Sequence, residues 1–262
     1  MSFLLRVRST ALAACAVMLL AGHAAAQAPL RLAALAPAAS PAQPEGRAMR
    51  TDPFVGRDWR AASGPLVAKW NLATRDLERD RLALARCRSD EEQCDAASRR
   101  MLAIVTAVGD RHGRARIGHL NRAINLSIRP ASDAAQFGVP DRWSPPLVTL
   151  SAGRGDCEDY ALAKYLALRE AGFAASELRL VIVRLPLSGI DHAVLAVRHE
   201  GRWLILDNRR LALLDAGDID GEPLFVFGED AVRARDAHLA MADAGEGDPA
   251  AGSATGELPV LM

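Results

Sequence analysis

Three runs of apolar residues, each about as long as a strand, follow one another between residues 177 and 207. They read ELRLVIVRL, HAVLAVR and RWLILD, and a fourth run, PLFVFG, follows at residues 223–228. Gly201 lies between the second and third runs, which favours a tight turn and an antiparallel hairpin. The segment before them, residues 157–170, is predicted to be a helix that stops at Gly172, a residue type that commonly follows a helix. One helix followed by antiparallel strands predicts an α+β fold.

Further helices are predicted upstream of this unit, because apolar residues recur there at helical spacing. They cover residues 59–87, 91–110 and 114–126. The segment RPASDAAQFGVPDRWSPP, at residues 129–146, contains four prolines and is predicted to be a loop. We therefore expect N-terminal helices that precede a single helix and its antiparallel sheet.

Two cysteines seven residues apart lie between the first two predicted helices, in CRSDEEQC. On one continuous helix, Cys87 and Cys94 would lie about 10 Å apart along the axis, beyond the reach of a disulfide. A bridge therefore requires a turn, for which Ser89 and Asp90 are suitable N-cap residues. We predict a helical hairpin closed by a Cys87–Cys94 disulfide. Two unpaired thiols are the alternative.

The N-terminal residues 1–26 have the pattern of a cleaved signal peptide. Arg6 and Arg8 precede the short apolar run ALAACAVMLLAG, and small residues then precede Gln27, where we expect the mature chain to begin. An uncleaved anchor and lipidation at Cys15 are alternatives. A signal peptide predicts export to an oxidising compartment, where cysteine pairs tend to form disulfides.

The remaining chain divides by composition into three parts. Residues 27–58 are rich in Ala and Pro and are predicted to be a flexible lead-in, whereas residues 241–262 are predicted to be a disordered tail. The folded domain is therefore expected over residues 59–240. The formal net charge is zero and aromatic residues make up 5%, which gives no support for nucleic-acid binding. No later segment is expected to span a membrane.

Cys157, His192 and Asp207 are candidates for a catalytic triad. Cys157 lies at the predicted start of a helix, where unpaired backbone N–H groups and the helix dipole favour a thiolate. His192 begins the second strand and Asp207 ends the third, so antiparallel pairing across the 199–202 turn would make them cross-strand neighbours. A carboxylate there can orient the imidazole, so the three residues could act as nucleophile, base and orienting group.

Each of these residues also has a purely structural interpretation. Cys157 could be a small buried apolar residue, His192 a satisfied histidine at a strand edge, and Asp207 a turn residue. Their occurrence on adjacent elements in this order favours the triad. Zinc is disfavoured, because the sequence lacks paired-ligand spacings such as C-x-x-C or H-x-x-x-H.

The blocks GDCEDYALAKYLALREAGF, LRLVIVR, HAVLAVR and WLILDN together resemble the bacterial transglutaminase-like cysteine proteinases of the LapG type. The resemblance covers about residues 60–230 and is strongest over residues 143–208. It implies a papain-like fold of the transglutaminase branch, with Cys157 as nucleophile, His192 as base and Asp207 as the residue that orients the base.

The resemblance also implies a biological role. Members of this type are periplasmic endopeptidases that cut the N-terminal region of a large surface adhesin and thereby control biofilm release. An inner-membrane cyclic-di-GMP receptor is the implied inhibitory partner. A transglutaminase or amidase with the same triad remains an alternative, as does a non-enzymatic periplasmic calcium-binding module.

Three carboxylates surround the candidate nucleophile, although negative charge beside a thiol opposes its ionisation. Helix chemistry alone offers one explanation, since Asp156 is a possible N-cap and Asp159 would lie in the first turn. The family resemblance implies another, a Ca²⁺ site formed by Asp156, Glu158 and Asp159. Carboxylate oxygens are the ligands that Ca²⁺ prefers, and the two explanations are compatible.

Overall fold

The computed structural model of the chain describes residues 52–239. Within this range the helices are α1 (Pro65–Ser89), α2 (Ala96–Thr106), α3 (Gly113–Ser127), α4 (Asp133–Phe137), α5 (Pro146–Ala152) and α6 (Cys157–Glu170). The strands are β1 (Trp59–Ala61), β2 (Arg129–Pro130), β3 (Arg154–Gly155), β4 (Leu178–Arg184), β5 (Asp191–His199), β6 (Arg202–Leu206), β7 (Leu214–Asp215), β8 (Glu222–Phe227) and β9 (Val232–Arg235). The helices thus come first, and the longer strands follow them.

Seven of these strands form one sheet in the order β1-β9-β8-β4-β5-β6-β7. Every neighbouring pair in this sheet is antiparallel, whereas β2 and β3 form a separate short parallel pair. Helix α6 packs against β4 and β5, and α1, α2, α3 and α5 contact α6 from its other sides. The predicted α+β class, with N-terminal helices and one helix packed on an antiparallel sheet, is confirmed.

Helix α6 is enclosed along most of its length. All residues from Cys157 to Leu168 are buried, including the charged residues Glu158, Asp159 and Lys164. A helix buried on every side needs no apolar stripe, because the sheet covers one face and the other helices cover the rest. Its first turn therefore presents functional groups in an interior that excludes most water.

The opposite face of the sheet carries a second, smaller core. Its members include Phe54, which lies edge-to-face on Trp203 with ring centroids 5.6 Å apart. Phe54 falls within residues 27–58, the segment predicted to be a flexible lead-in. The last residues of this segment are therefore packed against the sheet, which its Ala- and Pro-rich composition did not predict.

The predicted helical hairpin and its disulfide are confirmed. Cys87 and Cys94 are bonded, with their Cα atoms 4.5 Å apart. Helix α1 ends at Ser89, and Asp90 caps a short 3-10 turn by accepting a hydrogen bond from the Glu92 N–H. The turn brings the two sulfurs together, as the geometric argument requires.

The predicted bounds of several elements are wrong. Residues 59–61 form β1, not the start of a helix, because they pair with β9 from the far end of the described chain. The second helix begins at Ala96, since Asp95 provides the N-cap through a 2.7 Å bond from the Ser98 N–H, and ends at Thr106. The predicted loop at 129–146 contains the short helix α4, which the prolines around it did not suggest.

The predicted strands β4, β5, β6 and β8 are all present, and β5 and β6 form the predicted antiparallel hairpin. His199 faces Arg202 in this pairing, and Glu200 and Gly201 turn the chain with φ values of 50° and 72°. Glycine adopts such a positive φ without a Cβ clash, which accounts for its place in this turn.

The predicted signal peptide at residues 1–26, most of the lead-in and the predicted tail at 241–262 lie outside the described residues. Among residues 52–239, no helix combines the length and the apolar character that crossing a bilayer requires.

Candidate active site

Cys157 is the first residue of α6, and its thiol is buried with 7% exposure. The backbone N–H of Ala193, on β5, faces the sulfur and favours its ionised form. The thiol donates a hydrogen bond to Glu158, with 3.2 Å between Sγ and Oε2. Burial raises the pKa of the Cys157 thiol well above its ordinary value, and the negative charge of Glu158 raises it further.

His192 and Asp207 meet at one end of the β5–β6 hairpin. Leu195 faces Leu206 in the register, so Asp207 lies one residue beyond the ladder and diagonally across from His192. A 2.9 Å hydrogen bond joins His192 Nε2 to Asp207 Oδ1, and both side chains are buried. The predicted cross-strand contact is therefore present. Because Nε2 of His192 contacts the carboxylate, Nδ1 is the ring nitrogen that does not.

The sequence-predicted residues thus lie on three adjacent elements. Cys157 begins α6, and the residue it faces on β5, Ala193, directly follows His192. Helix α6 packs against β5, and β5 pairs with β6, whose end carries Asp207. The arrangement can supply a nucleophile, a base and a carboxylate that orients the base.

Asp207 has a second partner that the sequence did not suggest. The Arg209 guanidinium contacts both carboxylate oxygens, with Nη2 2.8 Å from Oδ2 and Nε 3.1 Å from Oδ2 and 3.3 Å from Oδ1. The Arg209 backbone N–H also donates to Oδ1 at 2.9 Å. Burial acts to raise the pKa of Asp207, but the bonds from His192 and Arg209 outweigh it and hold that pKa well below its ordinary value.

The backbone around Asp207 is anchored by neighbouring helices. Asn125 on α3 donates through Nδ2 to the carbonyls of Asp207 and Arg210, at 3.0 and 2.9 Å. Asn121, one turn earlier, donates to the carbonyl of Arg210 at 3.1 Å. Lys164 on α6, completely buried, donates to the Leu206 carbonyl at 3.4 Å. The loop that carries Asp207 is therefore fixed by contacts that do not involve its side chain.

Five carboxylates converge beside Cys157. The predicted metal ligands Asp156, Glu158 and Asp159 are all buried, and the fold brings Asp133 and Asp141 to them from the predicted proline-rich loop. Carboxylate oxygens of Asp133, Asp156 and Asp159 lie within 4.8 Å of one another, as do those of Asp133, Asp141 and Glu158. Their sequence signal was weak, since Asp133 and Asp141 lie about 20 residues before Cys157 in a segment without regular periodicity.

The acidic cluster has little positive charge nearby to balance its carboxylates. Lys69 bonds to Asp141, and backbone N–H groups donate to Asp133 and Asp159. One oxygen each of Asp133, Asp141 and Asp156 is nevertheless buried without a hydrogen-bond partner. Burial, together with the charge of Asp133, raises the pKa of Asp156 to about 7, and burial with the neighbouring carboxylates raises the pKa values of Glu158 and Asp159 strongly.

These unpaired oxygens help to decide between the two explanations of the acidic residues, helix capping and Ca²⁺ binding. Asp156 occupies the N-cap position of α6, but its side chain makes no capping hydrogen bond. Side-chain capping therefore does not account for Asp156. Several buried carboxylate oxygens that point at one another, without donors, form the type of ligand set that suits Ca²⁺.

Residues 141–143 are a candidate source of a backbone N–H that would stabilise an oxyanion. The Arg142 backbone N–H donates to Asp133 Oδ2, and the Ser144 N–H donates to Asp159 Oδ1 at 2.8 Å. Both groups are therefore engaged with the acidic cluster. A donor from this segment would have to be the N–H of Asp141 or Trp143.

Gly155, on β3, is packed directly against the acidic cluster. A Cβ added there would lie 2.7 Å from both Cβ and Oδ2 of Asp159 and 3.1 Å from Thr149 Cγ2. We expect Gly155→Ala to displace Asp159 and to lower the free energy of unfolding by about 1–3 kcal/mol, measured by chemical denaturation.

Gly118→Ala on α3 is the matched control, because its added Cβ would meet Leu213 Cδ1 at an ordinary 3.7 Å. Alanine also has the higher helix propensity, so this variant should be as stable as the wild type or more stable. A Gly155→Ala protein with wild-type stability would contradict the close packing at Asp159.

Comparison with known proteins found one family model and several solved structures that are similar to this chain. The family model described as bacterial transglutaminase-like cysteine proteinase matches residues 83–218, which include Cys157, His192 and Asp207. Among curated protein sequences, none matches the chain.

Two solved structures of LapG from Legionella pneumophila are similar to the chain. The calcium-bound form is 21% identical with a TM-score of 0.47, and the match covers 60% of this chain and 87% of that one. An EGTA-treated form is 20% identical with a TM-score of 0.46, and the match covers 68% and 89%.

Proposed function

The chain belongs to the bacterial transglutaminase-like cysteine proteinases, and from that membership we propose that it is an endopeptidase whose nucleophile is Cys157. The observation that carries the proposal is the buried His192–Asp207 hydrogen bond on the strands beside Cys157. A base held by a carboxylate next to a helix-terminal thiol is the arrangement that nucleophilic catalysis by cysteine requires.

The proposed reaction proceeds in two stages. His192 accepts the Cys157 proton as the sulfur attacks the scissile carbonyl carbon, and then donates that proton to the leaving amine. A water molecule, deprotonated by His192, next attacks the thioester and releases the carboxylic acid and the free thiol. Asp207 remains ionised and stabilises the imidazolium that forms in both stages. The Ala193 N–H favours the thiolate from the strand side.

We assign the acidic cluster to calcium. The residues that would hold the ion are the three predicted ligands together with two that the fold adds: Asp156, Glu158, Asp159, Asp133 and Asp141. When bound, Ca²⁺ would supply positive charge that offsets the carboxylates around the thiol and so favours its ionisation. Glu158 now accepts the thiol hydrogen, so its engagement elsewhere would also free Cys157 for His192.

The biological role follows from the family and is proposed on that basis. The substrate is the N-terminal region of a large surface adhesin, whose cleavage releases the adhesin and disperses a biofilm. The protein acts in the periplasm after its signal peptide is removed. An inner-membrane cyclic-di-GMP receptor would inhibit it through a periplasmic domain.

The test combines the purified protein with the N-terminal fragment of a large adhesin encoded in the same genome. We expect a discrete cut with Ca²⁺, none with EGTA, and none with Cys157→Ala under either condition. Electrophoresis and mass spectrometry of the products measure it. Incorporation of a labelled amine without chain cleavage would instead identify a transglutaminase. Ca²⁺ binding with unreactive Cys157 would identify a non-enzymatic calcium-binding module.

A further inference from the structure

Among the described residues, Arg209 is the one arginine or lysine whose side chain contacts the Asp207 side chain. Its guanidinium contacts both oxygens of Asp207, while His192 uses only Oδ1. Arg209 also lies 3.7 Å from Asp220, and its side chain has 18% exposure. A two-oxygen contact of this kind fixes the plane of a carboxylate as well as its position.

The orientation of that plane matters for the base. Asp207 is buried at 2% exposure, and a single imidazole would leave its charge largely uncompensated whenever the ring is neutral. Arg209 provides a permanent counter-charge, so the carboxylate can stay ionised and in place in both protonation states of His192. The Oδ1 lone pair then keeps its direction toward Nε2.

The backbone that carries Asp207 does not depend on this guanidinium. Asn125 and Asn121 hold the carbonyls of Asp207 and Arg210 from α3, and Lys164 holds that of Leu206 from α6. Removing the Arg209 side chain should therefore leave the loop in position. What would be lost is the orientation of one carboxylate.

We propose that Arg209 is a positioning residue that acts on catalysis only through Asp207, by fixing the carboxylate that orients His192. This proposal rests on the proposed function, since it assigns His192 as the base for Cys157. Asp207 and Arg209 are two residues apart in sequence, so a single short loop would supply both the orienting group and its support.

The test is a double-mutant cycle with a readout that needs no peptide substrate. The probe is iodoacetamide, and mass spectrometry of the tryptic peptide GDCEDYALAK follows alkylation of Cys157 in the full chain with Ca²⁺ present. We expect Arg209→Gln to slow alkylation about tenfold in the otherwise wild-type protein. In the Asp207→Ala background Arg209→Gln should have no further effect on alkylation, because the carboxylate through which Arg209 acts is already absent.

Arg210→Gln is the matched control. The Arg210 guanidinium lies 3.6 Å from Asp220, and it is the backbone of Arg210 that contacts Asp207. This variant should alkylate at the wild-type rate. Arg209→Lys separates charge from geometry: a lysine keeps the charge but cannot contact both oxygens in parallel, so it should resemble Arg209→Gln.

Cleavage of the adhesin fragment gives the second readout, in which Arg209→Gln should lower kcat and leave KM unchanged. A raised KM with unchanged kcat would overturn the proposal and make Arg209 a substrate-binding residue. If Arg209→Gln slowed alkylation equally in the Asp207→Ala background, Arg209 would have a general structural role, and the proposal would be overturned. If the wild type leaves the fragment intact but the alkylation cycle behaves as expected, the substrate assignment fails and the role of Arg209 stands. If Asp207→Ala itself leaves alkylation unchanged, the proposed triad and the role of Arg209 fail together.

Discussion

Replacing His192 with glutamine should lower kcat for peptide cleavage by at least about a thousandfold while leaving the fold intact. A positioned general base raises the reaction rate about 100- to 10,000-fold. The base matters especially here, because the raised pKa of Cys157 keeps its thiol protonated until a base removes the proton. Glutamine is close to histidine in size and can still donate a hydrogen bond to Asp207. It cannot take a proton from Cys157. Steady-state kinetics on the adhesin fragment, with a melting curve of the same sample, measure the two effects separately.

His199→Gln is the control for this variant. His199 lies on the same strand, β5, at the end opposite to His192, and its Nε2 lies 3.5 Å from Glu200 Oε1. It should retain wild-type kcat. Cleavage by His192→Gln within about tenfold of the wild-type rate would show that another group takes the thiol proton, and the triad would have to be abandoned.

The second large effect is expected from calcium, which should stabilise the protein much more at pH 8 than at pH 5. Burial and the charge of Asp133 raise the pKa of Asp156 from 3.8 to about 7 in the metal-free protein. A raised folded-state pKa gives stability that is complete below the unfolded value, near 4, and is lost as the pH rises through 7. The difference of about three units between the folded and unfolded pKa values of Asp156 corresponds to at most about 4 kcal/mol of stability. Calcium should offset the loss, because it binds the ionised carboxylates.

Thermal unfolding between pH 5 and pH 8, in Ca²⁺ or in EGTA, measures this dependence. The EGTA melting temperature should fall with rising pH, and the Ca²⁺ curve should be flatter. Asp156→Asn should reduce both the pH dependence in EGTA and the stabilisation by Ca²⁺, because it removes one of the titrating carboxylates and one ligand. Identical melting temperatures in Ca²⁺ and EGTA at pH 8 would remove calcium from the mechanism.

Local patterns in the sequence were sufficient to predict much of the sheet and the contact between His192 and Asp207. The runs that became β4, β5 and β6 alternate little because both faces of the sheet are covered, and Gly201 marks the turn that aligns His192 with Asp207. Once the hairpin is assumed, the proximity of these two side chains follows from strand pairing alone. The disulfide followed in the same way from helix geometry.

What the sequence did not reveal depends on contacts between distant segments. Asp133 and Asp141 join the acidic cluster because α4 and the chain after it lie beside the first turn of α6, and no local periodicity encodes that approach. Arg209 follows Asp207 closely in sequence, yet an arginine in a polar turn has no distinguishing pattern. β1 was missed because only β9, far along the chain, makes its three residues a strand.

The pairing of β1 with β9 has a consequence for the order of folding. Trp59 faces Arg235, so this edge of the sheet joins the two ends of the described chain. Closing so long a loop is entropically costly and slow, and it requires that β9 has already been synthesised. The nascent chain can form the α1–α2 hairpin early, but β1 cannot pair with the sheet until β9 has left the ribosome. Refolding should therefore show fast formation of helices and a slower phase in which Trp59 becomes ordered.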